Sequence, residues 1–238
     1  MSGHSKWANI KHRKSAQDAK KGKIFTRIGK EITIAAKEGG GNPDANFRLR
    51  TLIDKARNVN MPADNIQRSI KRGTGEVPGV SYEEQVYEGY GPEGVAILVD
   101  CVTDNKNRTV SEVRHVFSAN SSSMAEAGSV SWMFEKKGVI RINAEGLSED
   151  DLIEQLLDFN IDDVEVEDNM ATITVTPKQL EQVKKVLEDT GHTIESAELE
   201  FVAKNLIELP ADKEKKVFDF LEKIEDLDDV QNVYTNLK

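Results

Sequence analysis

The chain has 238 residues, of which 38% are hydrophobic and 31% charged, a composition that supports buried cores and favours a soluble protein. No apolar run is long enough to span a membrane, so an integral membrane protein is excluded, and the basic N-terminal residues lack the apolar core of a signal peptide, so none is expected. One cysteine, Cys101, excludes an intrachain disulfide and a cysteine-cluster metal site, and it fits a reducing, cytoplasmic compartment.

The net charge of −10 is the sum of two opposed parts of the chain. Residues 1–76 carry 17 lysines and arginines against 7 acidic residues, whereas residues 77–238 carry 15 against 35. Such an asymmetry indicates a module that binds a polyanion, joined to acidic domains. The alternative is that the basic and acidic surfaces dock on each other, and both hold if the acidic part competes with the external partner.

Three amphipathic helices are predicted in the basic part. The spacing of isoleucines predicts a first helix over residues 15–38, which ends at a run of glycines. A second helix opens at Asp44, and a third has Pro62 in its first turn and Gly73 as its C-terminal signal. Helices of this size form a small bundle, and residues 74–79 are predicted to be a linker.

Strands and helices alternate after the linker. The predicted strands lie at 82–89, 94–103, 129–135, 138–143, 163–168, 171–176, 195–202, 205–209 and 230–235. The predicted helices lie at 106–119, 148–159, 178–190 and 212–227. Within 138–202 the order is β-α-β-β-α-β, which is the split βαβ or ferredoxin-like arrangement.

The predicted fold class is α+β, with an N-terminal basic three-helix domain followed by two ferredoxin-like α/β domains, one inserted in the other. The helical domain covers residues 1–76. One α/β domain is discontinuous and consists of residues 77–135 plus 204–238, because each flank supplies strand-helix-strand elements; the inserted domain covers 136–203. Continuous domains with boundaries near 135 and 205 are the alternative.

No catalytic, cofactor or metal site is predicted, and the chain is expected not to be an enzyme. The segment Gly89–Gly94 matches G-x-G-x-x-G, but a strand follows it and Pro92 removes an amide, so a hairpin turn is the better interpretation. The four histidines lack metal-ligand spacing. Asp100 and Asp104 form the acidic pair of a minor enzymatic alternative, although Asp104 also fits a helix cap.

The basic residues are arranged in a way that favours nucleic-acid binding. The predicted binding residues are Lys6, Trp7, Lys11, His12, Arg13 and Lys14 on an N-terminal arm, Lys20, Lys23, Arg27 and Lys30 along the first helix, and Arg68, Lys71 and Arg72 on the third. Lysine and arginine neutralise phosphates, and a tryptophan ring stacks on bases. The 59–63 connection lacks the glycine-bearing turn of a DNA-reading helix-turn-helix, so phosphates, groove shape and unpaired bases are expected to supply affinity. The acidic domains are candidates for protein contacts.

Several long motifs resemble the YebC/PmpR family in an order that covers essentially the whole chain. They are GHSKWANIKHRK (3–14), NPDANFRLR (42–50), NMPADNIQRSIKRGTG (60–75), YEGYGPEGVA (87–96), TDNKNRT (103–109) and GSVSWMFEKKG (128–138). The resemblance implies a helical domain, two α/β domains and a cytoplasmic DNA-binding transcriptional regulator. Related proteins, including mitochondrial translational activators of cytochrome c oxidase, imply an alternative: a ribosome-associated factor that binds ribosomal or transfer RNA and relieves stalling at proline runs.

One segment departs from the family pattern. Many relatives carry a glycine-rich turn after the TDNKNRT helix, whereas this chain has three serines, a methionine and an alanine at Ser121–Ala125. Serine lacks the freedom of glycine at positive φ. The role that the resemblance implies for this loop is therefore not carried over.

Overall fold

The structure is a computed structural model that describes residues 21–167 and 169–238. These residues form two compact units, one made of 134–204 and the other of 21–133 together with 205–238. As predicted, the fold is α+β: helices come first, and two four-stranded antiparallel sheets follow, one of them interrupting the chain of the other. No helix within the described ranges is long and apolar enough to cross a membrane.

Three helices open the described chain, namely α1 (Lys21–Gly39), α2 (Phe47–Asn58) and α3 (Ala63–Gly73). Their apolar faces form one buried cluster that includes Ile28, Ile32, Leu49, Ile53, Ile66 and Ile70. Helix α2 begins at Phe47 and not at the predicted Asp44. The Asn46 side chain accepts a hydrogen bond of 3.1 Å from the Leu49 amide, and this cap fixes the first residue of the helix.

Eight strands and four helices follow the bundle. In chain order they are β1 (Glu83–Tyr90), β2 (Ala96–Thr103), α4 (Lys106–Ala119), β3 (Ser123–Ala125), β4 (Phe134–Asn143), α5 (Glu149–Gln155), β5 (Ile161–Glu167), β6 (Met170–Val175), α6 (Leu180–Asp189), β7 (Ile194–Ala203), α7 (Ala211–Glu225) and β8 (Val230–Thr235). The linker between Gly73 and Glu83 contains no helix or strand.

The first sheet has the strand order β3-β1-β2-β8, with every neighbouring pair antiparallel. Apolar residues of the strands and of helices α4 and α7 form its core, in which the Phe117 and Phe220 rings meet edge to face with centroids 5.1 Å apart. Gly89 lies on this face, and a Cβ there would come within 2.5 Å of the Phe117 ring. Strand β8 belongs to this sheet, although all four strands of the second sheet precede it in the sequence.

The second sheet has the order β5-β6-β4-β7 and the ferredoxin-like connection predicted for this segment. The two sheets have the same spatial arrangement of four antiparallel strands. Read across each sheet, β3 corresponds to β5, β1 to β6, β2 to β4 and β8 to β7. Their connections differ, because β1 precedes β2 as a hairpin in the first sheet. Helix α5 begins with a capping box in which Ser148 and Asp151 hydrogen-bond reciprocally.

The strand predicted at 129–135 is wrong. A 3-10 turn occupies Ser131–Met133, strand β4 starts only at Phe134, and the edge of the first sheet is the short β3. The cause lies in β1: the Glu88 carboxylate accepts hydrogen bonds of 2.8–2.9 Å from the amides of Gly128, Val130 and Ser131. Amides bonded to a carboxylate are not available to a strand ladder.

The strand predicted at 205–209 is also wrong. This segment makes a single bridge, between Ile207 and Leu237, before Pro210 precedes helix α7. The Ile207 amide donates to the Asn236 carbonyl at 2.8 Å, and the Ile207 carbonyl accepts from the Lys238 amide at 2.9 Å. The segment is thus an extended connection beside the end of β8.

Candidate nucleic-acid interface

Helix α1 carries three of the predicted binding residues, and its cations face another part of the protein. The Lys23 ammonium donates to the Asp226 carbonyl at 2.5 Å and lies 3.6 Å from the Asp226 carboxylate. The Arg27 guanidinium donates to the carbonyl of Glu225, and it lies 3.4 Å from that of Leu227. Both cations therefore bind the C-terminal end of α7 and the residues after it.

Lys30 continues this contact and is only 8% exposed. Its ammonium lies 2.7 Å from the Asp229 carboxylate and donates to the carbonyls of Asp228 at 3.2 Å and Val102 at 3.3 Å. A buried lysine with three oxygen partners is a structural group, because each donor of the ammonium is already engaged. Lys30 as it stands in the structure does not present its charge to solvent.

Asp229 is the centre of a buried polar network and is 2% exposed. Its second carboxylate oxygen accepts from Arg108 at 2.6 Å, Thr109 at 2.7 Å and Thr103 at 3.1 Å. Burial acts to raise the pKa of Asp229, but the hydrogen bonds from Lys30, Arg108 and Thr109 outweigh it and hold the pKa at about 2. The carboxylate is thus charged at neutral pH and ties α1 to the first sheet.

Helix α3 carries the remaining three predicted residues of the described chain, and two of them face solvent. Arg68 and Lys71 are exposed, and neither side chain forms an ion pair or hydrogen bond within the described residues. Arg72 is half-buried, and its Nε is buried without a hydrogen-bond partner in the described part of the molecule. The Arg72 stem packs against Gly79, where a Cβ would come within 2.7 Å.

A cleft of about 320 Å³ lies beside Arg72, between the C-terminal halves of α1 and α3 and the linker. Lys37 lies on its wall and donates to the Ser81 hydroxyl at 3.0 Å. The carbonyl-bearing ends of two helices surround this cleft and carry partial negative charge, which Lys37 and Arg72 offset. The two cations at the cleft therefore stabilise helix ends.

The connection between α2 and α3 differs from the sequence expectation. It spans only four residues, 59–62, which is the length of a helix-turn-helix connection. Asn60 has φ of 59°, the left-handed conformation that glycine supplies in many such turns. The connection has no glycine, as the sequence indicated, but Asn60 takes the left-handed position and the turn is short.

Seven predicted binding residues lie outside the described residues. They are Lys6, Trp7, Lys11, His12, Arg13, Lys14 and Lys20. Of the thirteen predicted residues, the structure therefore brings three together against the acidic end of α7 and leaves two, Arg68 and Lys71, on an open face.

The features considered for catalysis have structural roles. Gly89–Gly94 ends β1 and forms the turn to β2, as predicted. Asn105, and not Asp104, caps α4, and Asp104 pairs with Arg108 at 2.8 Å. Burial raises the pKa of the Cys101 thiol, which keeps it protonated. No group of three or more potential metal ligands occurs within residues 21–167 and 169–238.

Sequence reasoning missed two features, the Asp229 network and the loop held by Glu88. The sequence contains nothing that distinguishes buried Asp229 from exposed Asp228. Glu88 is about 40 residues away in the sequence from the amides that it binds. The loop presents Trp132, which is 59% exposed and donates from its indole nitrogen to the Ser129 carbonyl at 3.0 Å. In segment 121–125, which differs from the family pattern, Ser121 has φ of 54°, so a serine adopts the left-handed conformation.

Comparison with known proteins matches the chain along its whole length. A family model described as the TACO1/YebC protein N-terminal domain matches residues 5–76, and one described as the TACO1/YebC second and third domain matches residues 82–237. A "Probable transcriptional regulatory protein" of Dictyoglomus turgidum is 52% identical over 237 residues, which are 99% of this chain and 95% of the relative. Another, of Thermotoga maritima, is 49% identical over 239 residues, covering 100% and 94% of the two chains.

A solved structure agrees with these matches. The crystal structure of the conserved hypothetical protein Aq1575 from Aquifex aeolicus superposes with a TM-score of 0.85 at 41% identity, covering 93% of this chain and 91% of that one. The family models, the curated relatives and the solved structure all agree with the resemblance carried by the sequence motifs. The chain belongs to the TACO1/YebC family.

Proposed function

We propose that this protein is a non-enzymatic, cytoplasmic regulator of gene expression that binds DNA through the exposed face of α3. The observation that carries the proposal is the pair Arg68 and Lys71, two solvent-facing cations that form no ion pair within the described residues. They lie on the second helix of a pair joined by a four-residue turn, which is the helix that enters the major groove in helix-turn-helix proteins.

Two further observations support this proposal. Relatives about half identical to this chain bear the name probable transcriptional regulatory protein. The exposed face of α3 also carries Gln67 beside its cations, and glutamine and arginine hydrogen-bond to base edges. The α3 face thus combines phosphate-binding cations with a side chain suited to base recognition.

Binding to duplex DNA over a series of salt concentrations tests the α3 face. The double variant Arg68→Gln/Lys71→Gln should lower the magnitude of the slope of log K against log salt by about 2, because each phosphate contact contributes about 0.9. The matched control, Lys185→Gln/Lys216→Gln, removes the same charge from exposed positions on α6 and α7. Fluorescence anisotropy measures both, and equal slopes for the two double variants would exclude α3 as the DNA-binding face.

A ribosome-associated translation factor is the second candidate function. Exposed Asp64 in the first turn of α3 favours it, because an acidic residue at this end hinders insertion of the helix between the phosphates of a DNA major groove, whereas RNA is bound at its minor groove and unpaired bases without such insertion. Co-sedimentation with ribosomes at physiological salt separates the candidates. Retention that is lost in Lys11→Glu/Arg13→Glu/Lys14→Glu supports this candidate, whereas sequence-specific footprints on promoter DNA without ribosome retention support the first.

A further inference from the structure

The cationic face of α1, defined here as Lys23, Arg27 and Lys30, binds oxygen atoms as a phosphate-binding surface does. Its partners are carbonyl and carboxylate oxygens of residues 225–229, which we call the acidic segment. The carbonyls at the end of α7 carry the negative end of the helix dipole, and three aspartates, at 226, 228 and 229, add full charges. The acidic segment thus presents α1 with closely spaced anionic oxygens, as a sugar-phosphate backbone does.

The fit of Arg27 to the acidic segment is incomplete. Its Nε is buried and has no hydrogen-bond partner among the described residues. Burial also lowers the pKa of the Arg27 guanidinium, so the charged form is less well stabilised than in water. A buried donor without a partner costs free energy, and a ligand that satisfied it would be preferred at this position. Phosphodiester oxygens accept hydrogen bonds in the paired geometry that arginine offers.

The cationic face also lies between two hydrophobic cores that share no residue. The apolar cluster of the three helices includes Ile28 and Ile32, whereas that of the first sheet includes Phe117 and Phe220. Lysine and arginine side chains join α1 to oxygens of the acidic segment across this boundary. The linker residues 78–82 form no backbone hydrogen bond with one another or with the described chain around them. The Lys23–Asp226 ion pair is partly exposed, with the Asp226 side chain 89% exposed, so it separates at a lower free-energy cost than the buried Lys30–Asp229 pair.

We propose that the acidic segment is a built-in mimic of nucleic-acid phosphates that covers the cationic face of α1 and competes with nucleic acid for it. The inference rests on the proposed function, since it regulates binding by the same helical bundle. Helix α3 makes the first contact in the covered state. Displacement of residues 225–227 then adds Lys23 and Arg27 to the nucleic-acid surface while Lys30 stays paired with Asp229, and affinity rises.

Neutralising the acidic segment at its exposed positions tests the competition. In Asp226→Asn/Asp228→Asn the cover is weakened, and affinity for duplex DNA should rise about tenfold, because Lys23 and Arg27 then neutralise phosphates in addition to those bound by α3. The control Asp150→Asn/Asp158→Asn changes the net charge equally at exposed positions of the inserted domain. A third variant adds Arg27→Gln to Asp226→Asn/Asp228→Asn, and this addition should abolish the gain in affinity. Circular dichroism verifies that all variants are folded.

The outcomes separate the inference from the proposed function. A rise in DNA affinity that occurs in Asp226→Asn/Asp228→Asn, is absent from the control and is reversed by Arg27→Gln supports the inference. Equal tightening in the control, or tightening that Arg27→Gln leaves intact, overturns it while the wild type still binds through α3. Absence of salt-dependent binding in the wild type and in every variant overturns the proposed function, and the inference with it.

Discussion

Helices α1 and α3 carry similar patterns of basic residues on the side opposite their buried isoleucines, yet their cations have opposite environments. Lys30 of α1 is buried against Asp229, whereas Lys71 of α3 is exposed and has no partner among the described residues. The difference does not lie in either helix. It arises because the fold brings oxygen atoms at the end of α7, remote in sequence, against the cations of α1. A stripe of charge shows that a helix face is polar, and the partner of that face is decided by the rest of the fold.

The largest expected effect comes from removing the carboxylate that makes α1 different from α3. Asp229→Ala should destabilise the protein by about 3–5 kcal/mol, because Lys30 and Arg108 lose a buried counter-charge. Urea denaturation measures the change. The neighbouring variant Asp228→Ala removes an exposed side chain and should cost no more than about 0.5 kcal/mol. Similar losses in the two variants would show that the network is not a structural centre.

Lysine substitutions compare the two helices directly. Lys30→Met should cost about 2 kcal/mol, since it removes the charged hydrogen bond to Asp229 while Arg108 and two threonines still hold the carboxylate. Lys71→Met should change stability by less than about 0.5 kcal/mol. Thermal and urea unfolding of the two variants provide the comparison. If Lys71→Met were the more damaging, the contrast between the helices would be refuted.

The dependence of stability on pH tests the same carboxylate without removing a partner. The pKa of Asp229 is about 2 in the folded chain, against about 3.9 for an unfolded aspartate. Because the unfolded chain takes up the proton first, this stabilisation is complete above about pH 4 and declines as the pH falls toward 2. Urea midpoints of the wild type and Asp229→Asn, measured across that interval, should converge as the pH falls. A difference between the two urea midpoints that does not change with pH would contradict the low pKa of Asp229.

Local patterns in the sequence predicted much of the fold. Isoleucine spacing located the helical bundle core, Gly73 the end of α3, and the β-α-β-β-α-β order the second sheet. These features depend on neighbours a few residues apart, which periodicity detects. The α+β class followed from them.

The errors have a common physical origin in contacts between distant residues. Residues 129–135 alternate as a strand does, but Glu88 takes three of the amides in and next to this segment. Lys23, Arg27 and Lys30 form the expected stripe, but the acidic segment occupies it. Asp228 and Asp229 are chemically identical neighbours, and only the path of the chain after α7 buries the second of them. No local pattern in the sequence indicates contacts between residues that are distant in the chain.

The place of β8 in the first sheet has a consequence for synthesis on the ribosome. Strand β2 pairs with β8, which is translated after the entire ferredoxin-like domain that separates them. The emerging polypeptide therefore completes the interrupting domain while β2 still has an open edge, and loop closure over so long a stretch is slow. During that interval the unpaired edge is a site for wrong association. We therefore expect chaperones to bind chiefly to nascent chains from which β8 has not yet emerged.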